Sequence, residues 1–284
     1  MNIEKTVNGI ISNASASIKA EQGDYVVDGL LYCHKCHTPK QTRVMLFGKE
    51  RTPMCLCKCA IEKRNKEEAE RKRIEFEKRI KELRRAGFLD EELQNCTFAN
   101  DDQGNEKATT VAKNYVANFQ QLKEDGKGLL FFGTVGTGKT FIAACIANAL
   151  IDKGIPCLVT NFARLVNTIS ATYEKQEYID GLNRFTLLVI DDLASERNTE
   201  YMNEIVYNII DSRYRAGLPL IITTNLTAEE LKKPAEISKQ RIYSRLLEMC
   251  LPVEVKGADR RRQKLKGDFK NYADLLGLNA TERN

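Results

Sequence analysis

The amino-acid sequence predicts an α/β fold in which helices cover both faces of a parallel sheet. Between residues 128 and 257, short apolar stretches alternate with longer amphipathic stretches of helical period. Such alternation is typical of a parallel sheet that is buried on both faces. A glycine-rich motif also lies between the first of these strands and the helix that follows, which is the position of phosphate-binding loops in α/β proteins.

Five strands and four helices are expected in this region. Two of the helices are followed by glycine, at Gly154 and Gly217, a residue that commonly ends helices. The predicted strands are GLLFFG (128–133), IPCLVTN (155–161), FTLLVID (185–191), LPLIITTN (218–225) and LPVEVKG (251–257), and the predicted helices are FIAACIANALIDKG (141–154), FARLVNTISATYEK (162–175), NEIVYNIIDSRYRAG (203–217) and ISKQRIYSRLLEMC (237–250).

A segment dense in Glu, Lys and Arg precedes this region and predicts one long helix over 61–86. A narrow apolar stripe at Phe76, Ile80 and Leu83 follows helical spacing, and Gly87 comes after a basic last turn. The segment is interpreted as a solvated connecting helix or, alternatively, as a helix offered to a partner protein. Upstream of it, a short helix is expected near residues 5–20.

Four regions are therefore expected: a partner-docking domain (1–60), a charged helical linker (61–95), the α/β domain (96–267) and a polar tail (268–284). The net charge of +5 is too small to indicate nucleic-acid binding by itself. No stretch resembles a signal peptide, and no run of 18 apolar residues indicates a membrane span. These features predict a cytoplasmic protein that does not enter membranes.

The strongest motif is GTVGTGKT at 133–140, which satisfies G-x-x-x-x-G-K-[ST]. Its glycines allow consecutive backbone N–H groups to turn towards phosphate oxygens, and the following helix directs its positive end at the same anion. The lysine is expected to reach the β- and γ-phosphates of ATP, and the threonine hydroxyl to coordinate Mg²⁺. The residues expected to contact the nucleotide are Gly133, Val135, Gly136, Thr137, Gly138, Lys139, Thr140 and Phe141.

Two acidic residues follow the apolar strand LLVI. Asp191 emerges at its carboxyl end, where a carboxylate can hold Mg²⁺ together with Thr140. Asp192 is the candidate to orient an attacking water, with Glu196 as a second choice. The next strand ends in Thr-Thr-Asn, and Asn225 is expected to touch the γ-phosphate or that water.

A cysteine-rich segment lies near the N-terminus and predicts a zinc site. Zinc takes four ligands in structural sites, and C-x₂-C spacing lets two thiolates reach one ion. Its five cysteines are Cys33, Cys36, Cys55, Cys57 and Cys59. Any two of the last three can complete a tetrahedron with the first two, so one thiol is expected to be left over. The chain's two histidines, in the same segment, are expected to be bystanders.

The order of these motifs resembles the AAA+ ATPases of the DnaC/DnaI helicase-loader and IstB-like group. The resemblance covers residues 96–255 and implies a Walker A motif at 133–140, a Walker B motif at 187–192 and a sensor 1 residue at Asn225. It also implies a five-stranded parallel sheet in the order 5-1-4-3-2. In front of this AAA+ domain, a small, α-rich, zinc-binding domain is expected.

The resemblance further implies that an arginine from a neighbouring subunit completes the site. Arg241 and Arg245 lie where that residue is expected, and Arg241 is favoured. One departure concerns Asp192, because many AAA+ enzymes have glutamate there. This difference favours a slow ATPase that acts as a switch. Arg260–Arg262 are interpreted as a sensor 2 element, a contact to single-stranded DNA or a solvated basic tail.

Together these features predict an ATP-dependent loader that places the replicative, DnaB-type hexameric helicase on single-stranded DNA. ATP, Mg²⁺ and Zn²⁺ are its expected cofactors, and it is expected to self-associate through its AAA+ interfaces. The resemblance leaves an IstB-type transposition helper as one alternative. A zinc-dependent adaptor that binds ATP but scarcely hydrolyses it is the other.

Overall fold

The computed structural model describes residues 19–102, 104–193, 199–234, 236–273 and 275–276. The chain forms two compact units, Met1–Glu77 and Lys78–Asn284, whose boundary falls inside helix α1 (Lys58–Gly87). Most of the helix expected near residues 5–20, and Glu196, lie outside the described residues.

The described part of the first unit contains two short antiparallel hairpins. Strands β1 (Tyr25–Val27) and β2 (Leu30–Tyr32) form one, and β3 (Val44–Leu46) and β4 (Lys49–Arg51) form the other. Each turn has two residues of positive φ and ends in glycine, the conformation that two-residue hairpins favour. The expectation of an α-rich domain is therefore wrong for residues 19–57, where no helix is found.

Helix α1 begins at Lys58 and ends at Gly87, close to the predicted bounds. Ion pairs between residues four apart line its exposed part, as between Lys72 and Glu68. Of the predicted apolar stripe, Ile80 and Leu83 pack against the core of the second unit, whereas Phe76 is exposed.

The second unit is built on one parallel five-stranded sheet, as predicted. Its strands are β5 (Gly128–Phe132), β6 (Cys157–Asn161), β7 (Leu187–Leu193), β8 (Leu220–Thr224) and β9 (Cys250–Glu254). Their order is β6-β7-β8-β5-β9, and every neighbouring pair is parallel. When only the strands of this sheet are counted along the chain, the order from the β9 edge is 5-1-4-3-2.

Two apolar clusters cover the two faces of this sheet. Successive residues of one strand point to opposite faces, and they enter different clusters: Leu130 and Leu188 lie in one, Leu129 and Leu187 in the other. Both faces are therefore buried, which explains the continuous apolar runs in the sequence. The helices are α2 (Glu106–Ala117), α3 (Phe119–Glu124), α4 (Lys139–Ile151), α5 (Phe162–Ser170), α6 (Lys175–Gly181), α7 (Glu200–Arg215), α8 (Ala228–Lys232), α9 (Ile237–Met249) and α10 (Arg260–Tyr272), with short 3₁₀ helices at Glu91–Asn95 and Leu182–Arg184.

Two sequence-based boundaries differ from the structure. The single helix predicted over 162–175 is two helices, because α5 ends at Ser170 and α6 starts at Lys175. Helix α10 extends to Tyr272, so the first residues of the predicted tail are helical. Among the described residues, no helix combines the length and the apolar character needed to cross a bilayer.

Candidate functional site

The glycine-rich loop connects β5 to the N-terminus of α4, at the carboxyl edge of the sheet. Gly138 is the N-cap of α4 and has a φ of 95°, which favours glycine. A Cβ atom at Gly136 would lie 2.1 Å from a carboxylate oxygen of Asp259, so no other residue fits there without a shift. The loop therefore exposes backbone N–H groups and a helix N-terminus to the same small space, an arrangement that binds phosphate.

Lys139 is buried at the base of this loop. Its ammonium group donates to the carbonyl oxygens of Gly133 and Thr134, at 2.9 and 2.8 Å, and to Oδ1 of Asn225 at 2.7 Å. Burial lowers the pKa of Lys139, and the nearby Asp192 and Asp191 oppose this effect. The lysine is thus partly desolvated and held by neutral oxygens.

Asp191 accepts hydrogen bonds from two threonines. The Thr140 hydroxyl is 2.8 and 3.0 Å from its two carboxylate oxygens, and the Thr223 hydroxyl donates to its Oδ1. Burial raises the pKa of Asp191, and the two threonine hydrogen bonds oppose that rise. Thr140 and Asp191 therefore offer adjacent oxygen ligands, as a divalent cation requires.

Asp192 has a left-handed backbone conformation, with a φ of 62°. Its N–H donates to the Thr223 hydroxyl at 3.0 Å, and its carboxylate accepts from the Asn225 amide at 3.2 Å. The exposed carboxylate faces the same cavity as Lys139 and Thr140. Thr223 at the end of β8 and Asn225 just after it thus bond the two acidic residues of β7.

These groups surround one cavity of about 450 Å³. The structure brings together around it the predicted phosphate-loop residues Val135, Gly136, Gly138, Lys139, Thr140 and Phe141, the predicted Asp192 and Asn225, and also Leu93, Cys96, Arg260 and Arg261. Asp191 reaches the site through its bonds to Thr140. Thr137, within the loop, is buried, and its hydroxyl donates to the Thr134 carbonyl at 3.0 Å.

The sequence allowed three interpretations of Arg260. In the structure it lies at the glycine-rich loop. Its backbone N–H donates to the Gly136 carbonyl at 3.0 Å, and its guanidinium would contact a Cβ atom at Gly138 at 2.9 Å. Asp102 holds the guanidinium in an ion pair at 2.8 Å. Arg260 is therefore positioned to contact an anion bound to the loop, while Arg262 is paired with Asp259.

Thr223 supports this site in a way that sequence reasoning did not predict. The sequence predicted the strand that contains Thr223 but not its contacts. The Thr223 hydroxyl bridges the Asp191 carboxylate and the Asp192 N–H because β7 and β8 are neighbours in the sheet. The one available signal was the pair of threonines that precede Asn225. Loss of such a support typically costs 10- to 100-fold in metal affinity or activity.

A Thr223→Val substitution is therefore expected to lower Mg²⁺-dependent nucleotide turnover by about tenfold or more, because valine fills the same space without the two hydrogen bonds. Thr224→Val is the matched control, since Thr224 is equally buried but bonds the Leu193 carbonyl instead, at 2.9 Å. Mg²⁺ titrations of ATP hydrolysis, with melting curves for both variants, make the comparison. Equal losses in the two variants would contradict the role given to Thr223.

The two arginines considered for contact with a neighbouring subunit differ in environment. Arg245 pairs with Asp211 and stacks over Tyr207, with its guanidinium carbon 4.6 Å from the ring centre. Arg241, one helical turn earlier on α9, is exposed and forms no ion pair within the described parts of the chain. Arg245 thus holds α9 against α7, and Arg241 is accessible.

Four of the five clustered cysteines come together in the first unit. The sulfurs of Cys33, Cys36, Cys57 and Cys59 all lie within 4.8 Å of one another. Cys59 Sγ is 3.6 Å from Cys33 Sγ and 3.4 Å from Cys57 Sγ. A tetrahedral zinc site with bonds of about 2.3 Å separates its sulfurs by about 3.8 Å, so the donor set fits zinc.

The fifth cysteine and the two histidines have other contacts. Cys55 Sγ lies 3.6 Å from the Pro39 carbonyl oxygen. His34 Nδ1 lies 3.1 Å from the Asp24 carboxylate, and His37 Nδ1 lies 3.0 Å from the Tyr25 hydroxyl. Cys55 is therefore the one of the five clustered cysteines that lies outside the four-sulfur group.

A family model of IstB-like ATP-binding proteins matches residues 65–267, which include the whole sheet and the cavity described above. The chain belongs to this family. The match begins inside helix α1 and excludes the four-cysteine group, so the family relationship concerns the α/β unit and most of the helix that leads into it.

Two curated relatives are helicase loaders. The replicative helicase loader DnaI of Bacillus subtilis is 23 % identical over 206 residues, which are 67 % of this chain and 66 % of that protein. The replicative helicase loader DnaC of Escherichia coli K12 is 30 % identical over 150 residues, 49 % of this chain and 59 % of that protein. The matched regions thus span less than two thirds of each relative's length.

The fold is also found in a solved relative. The crystal structure of DnaI aligns with 63 % of this chain and 98 % of its own chain, with a TM-score of 0.52 and 23 % identity. The second unit therefore shares the α/β fold of DnaI, built around a five-stranded parallel sheet.

Proposed function

We propose that this protein is an ATP-dependent loader that places a replicative, DnaB-type hexameric helicase on single-stranded DNA. The observation that carries the proposal is the set of contacts among Lys139, Thr140, Asp191 and Asn225 at one cavity of an IstB-like ATP-binding fold. The proposed partner, a replicative helicase, is taken from the relatives DnaI and DnaC, because both are replicative helicase loaders.

The chain's own groups would bind and orient ATP. The glycine-rich loop and the N-terminus of α4 bind the phosphates, and Lys139 exchanges its Asn225 contact for a phosphate oxygen. Thr140 and Asp191 would hold Mg²⁺, which supplies charge stabilisation to the transferred phosphoryl group. Arg260, whose guanidinium lies next to Gly138 at this cavity, would also contact the phosphates.

Hydrolysis is proposed to be slow and to act as a release switch. Asp192 would orient the attacking water, with its carboxylate directed by the Asn225 amide. Because the aspartate side chain is one carbon shorter than the glutamate of many AAA+ enzymes, it holds that water less well. Loading would follow ATP binding, and formation of ADP would release the loader.

Rapid turnover is proposed to need a second subunit. The accessible Arg241 would reach the nucleotide of a neighbouring copy and stabilise the charge that develops on the phosphoryl oxygens. Arg245 is disfavoured for this role because Asp211 and Tyr207 already hold its guanidinium. Self-association would thereby control the ATPase.

The first unit is proposed to bind the helicase. Zinc held by Cys33, Cys36, Cys57 and Cys59 would fix its two hairpins, which are too small to form a core of their own. The proposed regions are the docking domain (1–60), the helical linker (61–95), the ATPase domain (96–267) and the tail (268–284).

The client is tested by mixing the purified protein with the hexameric replicative helicase of its own host, and in parallel with an IstB-associated transposase. Gel filtration with light scattering, in the presence of ATP, measures complex formation in each mixture. A stable complex is expected with the helicase and not with the transposase. Binding to the transposase and not to the helicase would overturn the loader proposal and leave the ATPase assignment intact.

A further inference from the structure

The cavity is lined by both polar and apolar groups. The polar lining includes Lys139, Asp192 and Asn225, next to the glycine-rich loop. Leu93 and Cys96 are apolar lining residues that belong neither to this loop nor to the helix that follows it. Because the phosphates of a nucleotide are expected to bind the loop, its base is expected to contact the segment that carries Leu93 and Cys96.

This segment has little structure of its own to hold it in place. It consists of the five-residue 3₁₀ helix Glu91–Asn95 and the residue that follows. Its Leu93 and Cys96 side chains pack against the apolar cluster that contains α4, and Asn148 of α4, which is 1 % exposed, bonds its backbone. The Asn148 amide donates to the carbonyl oxygens of Leu93 and Cys96, at 2.9 and 2.8 Å. One side chain thus bonds the backbone at both apolar lining positions of the segment.

Arg84 fixes the orientation of that amide. One of its guanidinium nitrogens donates to Asn148 Oδ1 at 2.8 Å and lies 3.4 Å from the Gln94 carbonyl oxygen. Its other terminal nitrogen pairs with Asp152, just beyond the end of α4. With its oxygen engaged by Arg84, the Asn148 amide can present only its N–H₂ group to the segment.

We infer that Arg84 and Asn148 are positioning residues that set the wall of the cavity facing the nucleobase. Neither side chain lines the cavity, so they act through the backbone at Leu93 and Cys96. They control affinity for the base of ATP and leave the phosphate contacts alone. The inference rests on the proposed ATP-binding function and adds to it the residues that determine base recognition.

The test compares ATP with tripolyphosphate, which offers phosphates without a base. Calorimetric titrations in Mg²⁺ give both affinities for the wild type and for Arg84→Gln. We expect ATP affinity to fall about tenfold in Arg84→Gln, as loss of a charged hydrogen bond predicts, with tripolyphosphate affinity unchanged. Asn148→Ala is expected to give a larger fall in the same direction.

Arg79→Gln is the matched control. Arg79 lies on the same helix and also donates to a backbone carbonyl of the second unit, that of Gly154 at 3.2 Å, away from the cavity. Both affinities are expected to stay at the wild-type values. Because Arg84 is a partly exposed side chain, its variant decides the question even where Asn148→Ala does not fold.

Two results would overturn the inference: an unchanged ratio of ATP to tripolyphosphate affinity in Arg84→Gln, or an equal loss of both ligands, which would indicate general damage to the P-loop helix. Failure of the wild type to bind either ligand would instead overturn the proposed nucleotide function itself.

Discussion

Replacing Lys139 with alanine is expected to lower ATP affinity by about a hundredfold, the effect of losing one charged contact worth about 3 kcal/mol. Its ammonium group is buried at the glycine-rich loop and is held there by neutral oxygens of Gly133, Thr134 and Asn225. Bound phosphate would replace the Asn225 contact and restore the lowered pKa of the lysine. Fluorescent-nucleotide titration measures the loss.

Lys153→Ala is a control for this substitution. Lys153 follows the same helix and donates to the Val116 carbonyl at 2.8 Å, outside the cavity. Both variants lose a lysine–carbonyl bond, so their melting temperatures report any general effect on folding. Wild-type ATP affinity in Lys139→Ala would contradict the phosphate site, and a loss of the same size in Lys153→Ala would indicate that stability is the cause.

Replacing Cys57 with serine is expected to abolish zinc binding and unfold the described part of the first unit. Apparent binding free energies of structural zinc in small domains are about 10–16 kcal/mol, and most of the ordering of a unit without its own core depends on them. Cys57 is buried within the four-sulfur group, so serine removes one of four ligands. Metal content and amide hydrogen exchange of residues 19–57 measure the effect.

Cys55→Ser provides the contrast, because Cys55 lies only two residues away and outside the group. One zinc per chain and wild-type exchange protection are expected for this variant. Zinc retained in Cys57→Ser and lost in Cys55→Ser would show that a different set of thiols binds the ion. A wild-type protein without zinc affinity would remove the metal from the proposal altogether.

The α/β unit could be predicted from sequence because its signals are local and strong. Strands β5 to β8 contain continuous apolar runs, since both faces of the sheet are buried, and the buried residues of α5 and α7 follow helical spacing. The loop at 133–140 likewise depends on glycines whose backbone conformations few other residues adopt. Such patterns are visible without knowledge of any distant contact.

The first unit was harder to predict because its strands have three residues each and are largely exposed. They carry no alternation of apolar and polar residues that would distinguish a strand from a loop. The turn signal Asp28-Gly29 was the one local hint of a hairpin. A domain that depends on four sulfurs for its order has little hydrophobic pattern to detect.

The supporting residues of the candidate site could not be predicted for a different reason. Thr223 bonds Asp191 across 32 positions, and Arg84 bonds Asn148 across 64. Each pair meets only after strands and helices have packed together. Threonine is common in strands and arginine and asparagine occur in many helices, so none of these residues stands out in the sequence. Motifs report the groups that touch a ligand, whereas the groups that hold them are determined by packing.

The most direct test of the proposed function is a loading assay on circular single-stranded DNA. The host's hexameric helicase, the DNA and ATP are mixed with or without this protein, and helicase retained on the circles is measured after gel filtration. Retention is expected only with the wild-type protein, and Lys139→Ala is expected to lose it. Equal retention without the protein, or full loading by Lys139→Ala, would contradict an ATP-dependent helicase loader.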